Sequence, residues 1–128
     1  MNLLSPLAVA GGAGVGALVR WSLGLALNEM FPAIPLGTLI ANIIGGFLMG
    51  MVIGSLDQFQ TLPIEWRLAI TTGFLGGLTT FSTFSGEALN HLLRQQWVWA
   101  GTLIMVHVAG SIFAALFGVV VVRMVLRH

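Results

Sequence analysis

The stretch GGLTTFSTFSGE, Gly76 to Glu87, decides how this chain folds. It lies within an apolar segment long enough to cross a bilayer, yet it gathers three threonines, two serines and a carboxylate around Phe81 and Phe84. Hydroxyls and carboxylates turned toward acyl chains have no hydrogen-bond partner, so this face must meet protein, water or a solute. The apolar background continues on both sides. The chain has 128 residues, four acidic and five basic side chains and no cysteine, with a mean hydropathy of +0.99. That composition is too apolar and too poor in charge for a soluble domain, and it indicates an integral membrane protein. A membrane helix uses about 20 residues, which leaves room for about four crossings and short links.

The hydropathy pattern predicts an all-α membrane protein, a single integral membrane domain over 1–128, with spans near 3–27, 36–56, 66–93 and 98–125. The first run lacks a basic leading region and three more apolar runs follow it, so it reads as a span and not as a signal peptide. Pro32 and Pro35, the stretch LDQFQTLP, and the stretch RQQW mark the links, with Trp66, Trp97 and Trp99 where interfacial aromatics belong. An even number of spans places both ends on one side. Arg67, Arg123 and Arg127 then face Arg94 and Arg20 across the membrane, a charge bias too weak to set one orientation. Both insertions are therefore expected, giving an antiparallel homodimer, and four short helices enclose a pathway poorly without a second copy. Gly12 with Gly16, Gly46 with Gly50 and Gly54, and Gly110 with Ala114 and Gly118 form small-residue stripes for close helix packing in lipid.

The polar residues carry the functional reading. Gly73, Gly76 and Gly77 precede Thr79 and Thr80. Low helix propensity and competing hydroxyls allow a break in the third span at membrane depth, where freed carbonyls are ligands for a small cation. An unbroken helix that uses its glycines for packing is the alternative. With the helix resumed, Thr80, Thr83 and Glu87 share one face and Phe81 and Phe84 a neighbouring one. Two ring edges beside hydroxyl donors suit an uncharged anion path, while ordinary packing explains the same rings. Thr38 and Asn42 lie on one face of the second span, and Asn42 has an amide that donates to an anion or glues helices together. His107 and Ser111 repeat that spacing on the fourth span, read chiefly as glue. Arg20 either snorkels to the interface or concentrates anions at a vestibule. Glu87 is an intramembrane carboxylate, functional by default, and its spacing to His91 suits a metal but lacks a third ligand.

The absence of cysteine excludes disulfides and thiolate chemistry. No set of nucleophile, base and orienting group appears, nor any phosphate loop or basic nucleic-acid surface, so no enzyme reading survives. The partners expected are lipid, a second copy of the chain and a small solute, with no nucleic acid.

Taken together, GGLTTFSTFS at 76–85, GTLIANIIGG at 37–46 and GAGVGALVRW at 12–21 closely resemble the Fluc (CrcB-type) fluoride channel family of bacteria, a likeness that spans essentially the whole chain. The resemblance implies a passive fluoride channel of the bacterial inner membrane, built as an antiparallel homodimer with two pores. It places Phe81 and Phe84 along the path by their ring edges and has Asn42 donate to the ion. Thr80, Ser82 and Thr83 fall in its hydroxyl-rich stretch, with Ser111 on the fourth helix and Glu87 toward a pore end. It also implies a structural sodium ion at the dimer centre, held by the Gly76 and Thr79 carbonyls of both protomers. The chain departs from the family at Leu103, where some relatives carry a polar aromatic. A small dual-topology multidrug exporter is the alternative transporter, although the first span has Arg20 and no carboxylate. A non-conducting scaffold subunit is the alternative from another class.

Overall fold

The computed structural model describes residues 2–127, and every regular element in them is helical. Helix α1 (Leu4–Leu27) is followed by a 3₁₀ turn at Asn28–Met30 and by α2 (Leu36–Gly54). The link predicted as a plain turn contains a single helical turn, α3 (Leu56–Phe59). Helix α4 (Ile64–Leu68) then runs through a π-helical stretch, Ala69–Leu75, into α5 (Gly76–Leu78). Helix α6 (Phe81–Leu93) and the long α7 (Trp97–Leu126) complete the chain. Three helical stretches, Leu4–Met30, Leu36–Gly54 and Trp97–Leu126, are each long and apolar enough to cross a membrane. Residues 64–93 form the remaining apolar stretch, and it is divided. After Leu78 the backbone is extended at Thr79 (φ −84°, ψ 154°) and Thr80 (φ −147°, ψ 116°).

Local hydrogen bonds mark the start of α2 and both ends of α6. Asn28, at the end of α1, accepts a hydrogen bond from the Thr38 amide (3.2 Å) and so satisfies one free donor in the first turn of α2. Thr80 caps α6, its hydroxyl accepting from the Thr83 amide at 3.1 Å. Helix α6 closes in a Schellman turn: the Gln95 amide donates to the Leu92 carbonyl (3.0 Å) and the Gln96 amide to the His91 carbonyl (2.8 Å). Gln95 takes the left-handed conformation (φ 58°) that this turn requires.

Two helix pairs form the frame, and glycine makes both. Helix α2 packs along α7, and α1 packs along residues 69–78. A Cβ at Gly50 would collide with the Ala115 carbonyl, and one at Gly118 with the Phe47 carbonyl. Across the other seam, Gly12 and Gly16 seat on the Ala69 and Phe74 carbonyls, and Gly77 on that of Ala13. Backbones this close gain dispersion contacts that bulkier side chains would forbid. Gly110 differs from the expectation: a Cβ there meets only the Ile43 side chain at ordinary distance (3.4 Å), so the α7 stripe works through Gly118. Most large apolar side chains on the outer faces are exposed, as in a protein solvated by lipid.

Candidate functional site

The site centres on the two extended residues. Thr79 spends both its amide (3.0 Å) and its hydroxyl (2.8 Å) on the Leu75 carbonyl, closing the helix behind it. The Thr80 amide, which would continue the helix by donating to Gly76, donates instead to Asn42 Oδ1 on α2 at 2.8 Å, while Asn42 Nδ2 donates to the Thr80 carbonyl at 3.2 Å. One side-chain amide thus pairs with one residue of extended backbone much as a neighbouring strand would. The carbonyls at the end of the run lose their helical partners in consequence, those of Gly76 and Thr79 among them. The donor for Gly76 is taken by Asn42, and the donor for Thr79, the Thr83 amide, is taken by the Thr80 hydroxyl. Both Gly76 and Thr79 line an open groove of about 520 Å³.

That groove contains Asn42, Thr80, Phe81, Phe84, His107 and Ser111 as well, and none of its lining residues carries a carboxylate, ammonium or guanidinium. The Phe81 and Phe84 rings lie 5.6 Å apart at 59° to each other. Their surroundings differ: Phe81 is 79% exposed on the groove side, whereas Phe84 is 8% exposed and packs on the His107 ring, 4.8 Å away. On the opposite flank a second cavity of about 260 Å³ is lined by Arg20, Thr38, Thr80 and Thr83 among others, so Thr80 faces both. Arg20 does not snorkel outward. Its Nε donates to the Gly77 carbonyl (3.1 Å), one of the last carbonyls before the break, where a cation meets the negative end of the preceding helical run. Ser82 lies exposed beside Thr80, the two hydroxyl oxygens 3.4 Å apart.

Glu87 sits behind the rings. Its Oε2 accepts from the Thr38 hydroxyl at 2.8 Å, and its Oε1 lies 3.9 Å from His107 Nε2. The spacing of Glu87 to His91 produces no metal set: His91 spans the Ala33 carbonyl and the Gln96 side chain, and no cluster of three ligating side chains occurs among the described residues. Leu103 is fully buried in an apolar cluster with Ile34, Phe84 and Ala88. It does not line the groove.

Sequence reasoning gathered Asn42, Phe81, Phe84, Thr80, Ser82, Thr83, Ser111, Thr38, Arg20 and Glu87 about one path; Asn42, Thr80, Phe81, Phe84 and Ser111 line the groove, Arg20, Thr38, Thr80 and Thr83 line the smaller cavity, and Ser82 and Glu87 line neither. It read His107 chiefly as interhelical glue, a reading its 3.1 Å contact with Asn42 Nδ2 on α2 fits, and it missed the pairing of Asn42 with the Thr80 backbone. The threonine at the start of a new helix, followed three residues later by Thr83, was the local signal for a cap. No local signal names the partner of Asn42, which lies 38 positions away in the chain.

Comparison with known proteins shows the family of this chain. A family described as CrcB-like protein, Camphor Resistance (CrcB), matches residues 7–119. A protein of Tolumonas auensis is 49% identical over 125 residues, 98% of this chain and 98% of its own length. One from Nitrosospira multiformis is 45% identical over 128 residues and the whole of both chains. One from Ralstonia pickettii is 50% identical over 123 residues, 96% of this chain and 98% of that one. All three bear the name fluoride-specific ion channel FluC. A match across nearly the whole length, motif stretches included, places this all-helical membrane chain in the CrcB-like family.

Proposed function

We propose that this chain forms a passive, fluoride-selective channel of the bacterial inner membrane. Two antiparallel copies enclose two pores, each chain being a single membrane domain. Residues 64–93 act as the third of four crossings, interrupted at mid-membrane by Thr79 and Thr80. One observation carries the reading: an open groove lined by the extended Thr79 and Thr80, by Phe81 and Phe84 and by Ser111 among apolar neighbours, with no carboxylate, ammonium or guanidinium on its lining residues. A guanidinium or ammonium in direct contact with the ion would hold it too tightly for rapid passage, whereas weak donors arranged in series replace hydration and still release the ion. The names carried by near full-length relatives point the same way.

In this reading Phe81 and Phe84 present ring edges to the ion, where the quadrupole is positive. Thr80, Ser82, Thr83 and Ser111 supply hydroxyl donors. Thr38 and Glu87 lie toward one end, and Arg20 raises anion concentration in the cavity on the other flank of Thr80. A second copy covers the groove, since a wall open on one side admits lipid.

The Gly76 and Thr79 carbonyls, freed by the diversion of their helical donors, suit a hard monovalent cation. A sodium ion bound there would supply a fixed positive charge and tie the two copies together. Asn42 and Thr80 do the chain's own share, holding those carbonyls away from any helical partner.

Passive transport is enough for the purpose. Hydrogen fluoride is neutral and crosses membranes, and the ion it releases in a less acidic cytoplasm is trapped. An interior-negative potential drives an anion outward by about 2.3 kcal/mol per 100 mV, so no coupled ion or nucleotide is needed. The test is efflux from proteoliposomes: fluoride is lost and chloride retained. Vesicles carrying the protein that hold fluoride as well as protein-free ones would end the reading.

A further inference from the structure

His107 is buried, 4% exposed, and no role along the pathway has been given to it. Its surroundings fix its chemistry. The Thr80 amide can only donate, and it donates to one end of the Asn42 side chain at 2.8 Å, so that end is the oxygen and the other is the NH₂. One NH₂ hydrogen goes to the Thr80 carbonyl (3.2 Å), and the second points at His107 Nδ1, 3.1 Å away. Nδ1 must therefore accept, which places the ring proton on Nε2. A separate contact leads to the same tautomer. Nε2 faces Glu87 Oε1 at 3.9 Å, and both atoms are buried without another partner. A hydrogen aimed at a carboxylate is attracted, whereas a lone pair in that place is repelled.

We propose that His107 is the positioning residue of the Asn42–Thr80 pair: a neutral imidazole, protonated at Nε2, whose Nδ1 takes the remaining hydrogen of the Asn42 amide and locks that amide against the extended backbone. Without this acceptor the Asn42 amide has a buried donor unmet and a freer torsion, and the Thr80 backbone loses its fixed partner. The ring is itself held by Phe84 on its face, at 4.8 Å. A continuous polar chain results, Thr80 to Asn42 to His107, which then faces Glu87 and through it Thr38. Three helices and the break are joined by it. The effect on flux rests on the channel reading; the tautomer does not.

Nitrogen-15 NMR of the labelled protein in bilayers tests the tautomer directly. The signals that vanish in His107→Asn are expected to be one unprotonated Nδ1 and one protonated Nε2, and a proton found on Nδ1 overturns the proposal. Flux separates the two ends of the ring. Asn puts an oxygen near the place of Nδ1, whereas Gln reaches only toward that of Nε2. His107→Asn should keep fluoride efflux within a few-fold of wild type, and His107→Gln and His107→Leu should lose about tenfold or more, the cost of one unmet buried donor. Gln or Leu variants that conduct like wild type, or an Asn variant no better than Leu, overturn it. If the wild-type protein passes no fluoride, the channel reading fails by itself and the spectrum alone decides the role of His107.

Discussion

At the scale of single residues, Phe81 and Phe84 share a motif but not an environment. Phe81 is an exposed ring on the groove, while Phe84 is held between His107 and the apolar cluster of Leu103 and Ala88. Isoleucine at either position keeps apolar volume and removes the ring edge. Phe81→Ile is expected to abolish fluoride efflux with little change in melting temperature, and Phe84→Ile to abolish it with a loss of about 1 kcal/mol more, because only the Phe84 ring also packs on His107 and in the apolar cluster. Efflux and thermal unfolding measured on both variants check this, and rapid flux in Phe81→Ile would remove that ring from the path. Asn42 is bound on every side, to the Thr80 amide, the Thr80 carbonyl and His107. Asn42→Ala leaves those groups unmet, so it should slow efflux strongly and also cost about 1–3 kcal/mol of stability. Unchanged stability would show that water replaces the amide without penalty.

The seams of α2 with α7 and of α1 with residues 69–78 are made by backbone approaching at glycine. A methyl group at Gly50 would strike the Ala115 carbonyl, whereas around Gly86 and Gly101 there is open space. Gly50→Ala is therefore expected to destabilise by about 1–3 kcal/mol through overpacking. Gly86→Ala, on the exposed face of α6, should stabilise slightly by raising helix propensity. Equal melting temperatures for the two variants would contradict the close α2–α7 seam. The turn between α6 and α7 offers a further test, because Gln95 occupies a left-handed conformation that costs a residue with a Cβ about 1–2 kcal/mol. Gln95→Gly should raise the melting temperature, less the entropy that glycine loses on folding.

For the whole molecule, the described helices present apolar side chains on most of their outer surface, and the groove opens on that surface. In the proposed assembly a second copy closes it and the Gly76 and Thr79 carbonyls of both copies converge on sodium. Preparing the protein with lithium or an organic cation in place of sodium should then weaken the dimer and lower fluoride flux together. The readouts are cross-linking yield and efflux rate, and a dimer equally stable in either medium would argue against a cation at the interface.

Much of this was determined by composition and local pattern. The membrane habit follows from the run of apolar residues, because lipid admits only backbone that satisfies its own hydrogen bonds. The helix stripes follow from glycine spacing, and Thr79 and Thr80 stood out as the place where helix and hydroxyl compete. Only tertiary structure decided the rest. The break falls two residues beyond the glycines because Asn42, from another helix, captures the Thr80 amide. Gly73 and Gly77 are used for packing on α1, so the glycine-rich approach remains helical. Arg20 turns inward to the Gly77 carbonyl, and His107 acquires a single tautomer from two partners on different helices. A buried polar group takes whichever partner the packing brings within reach, and spacing along one chain segment does not encode the identity of a partner on another.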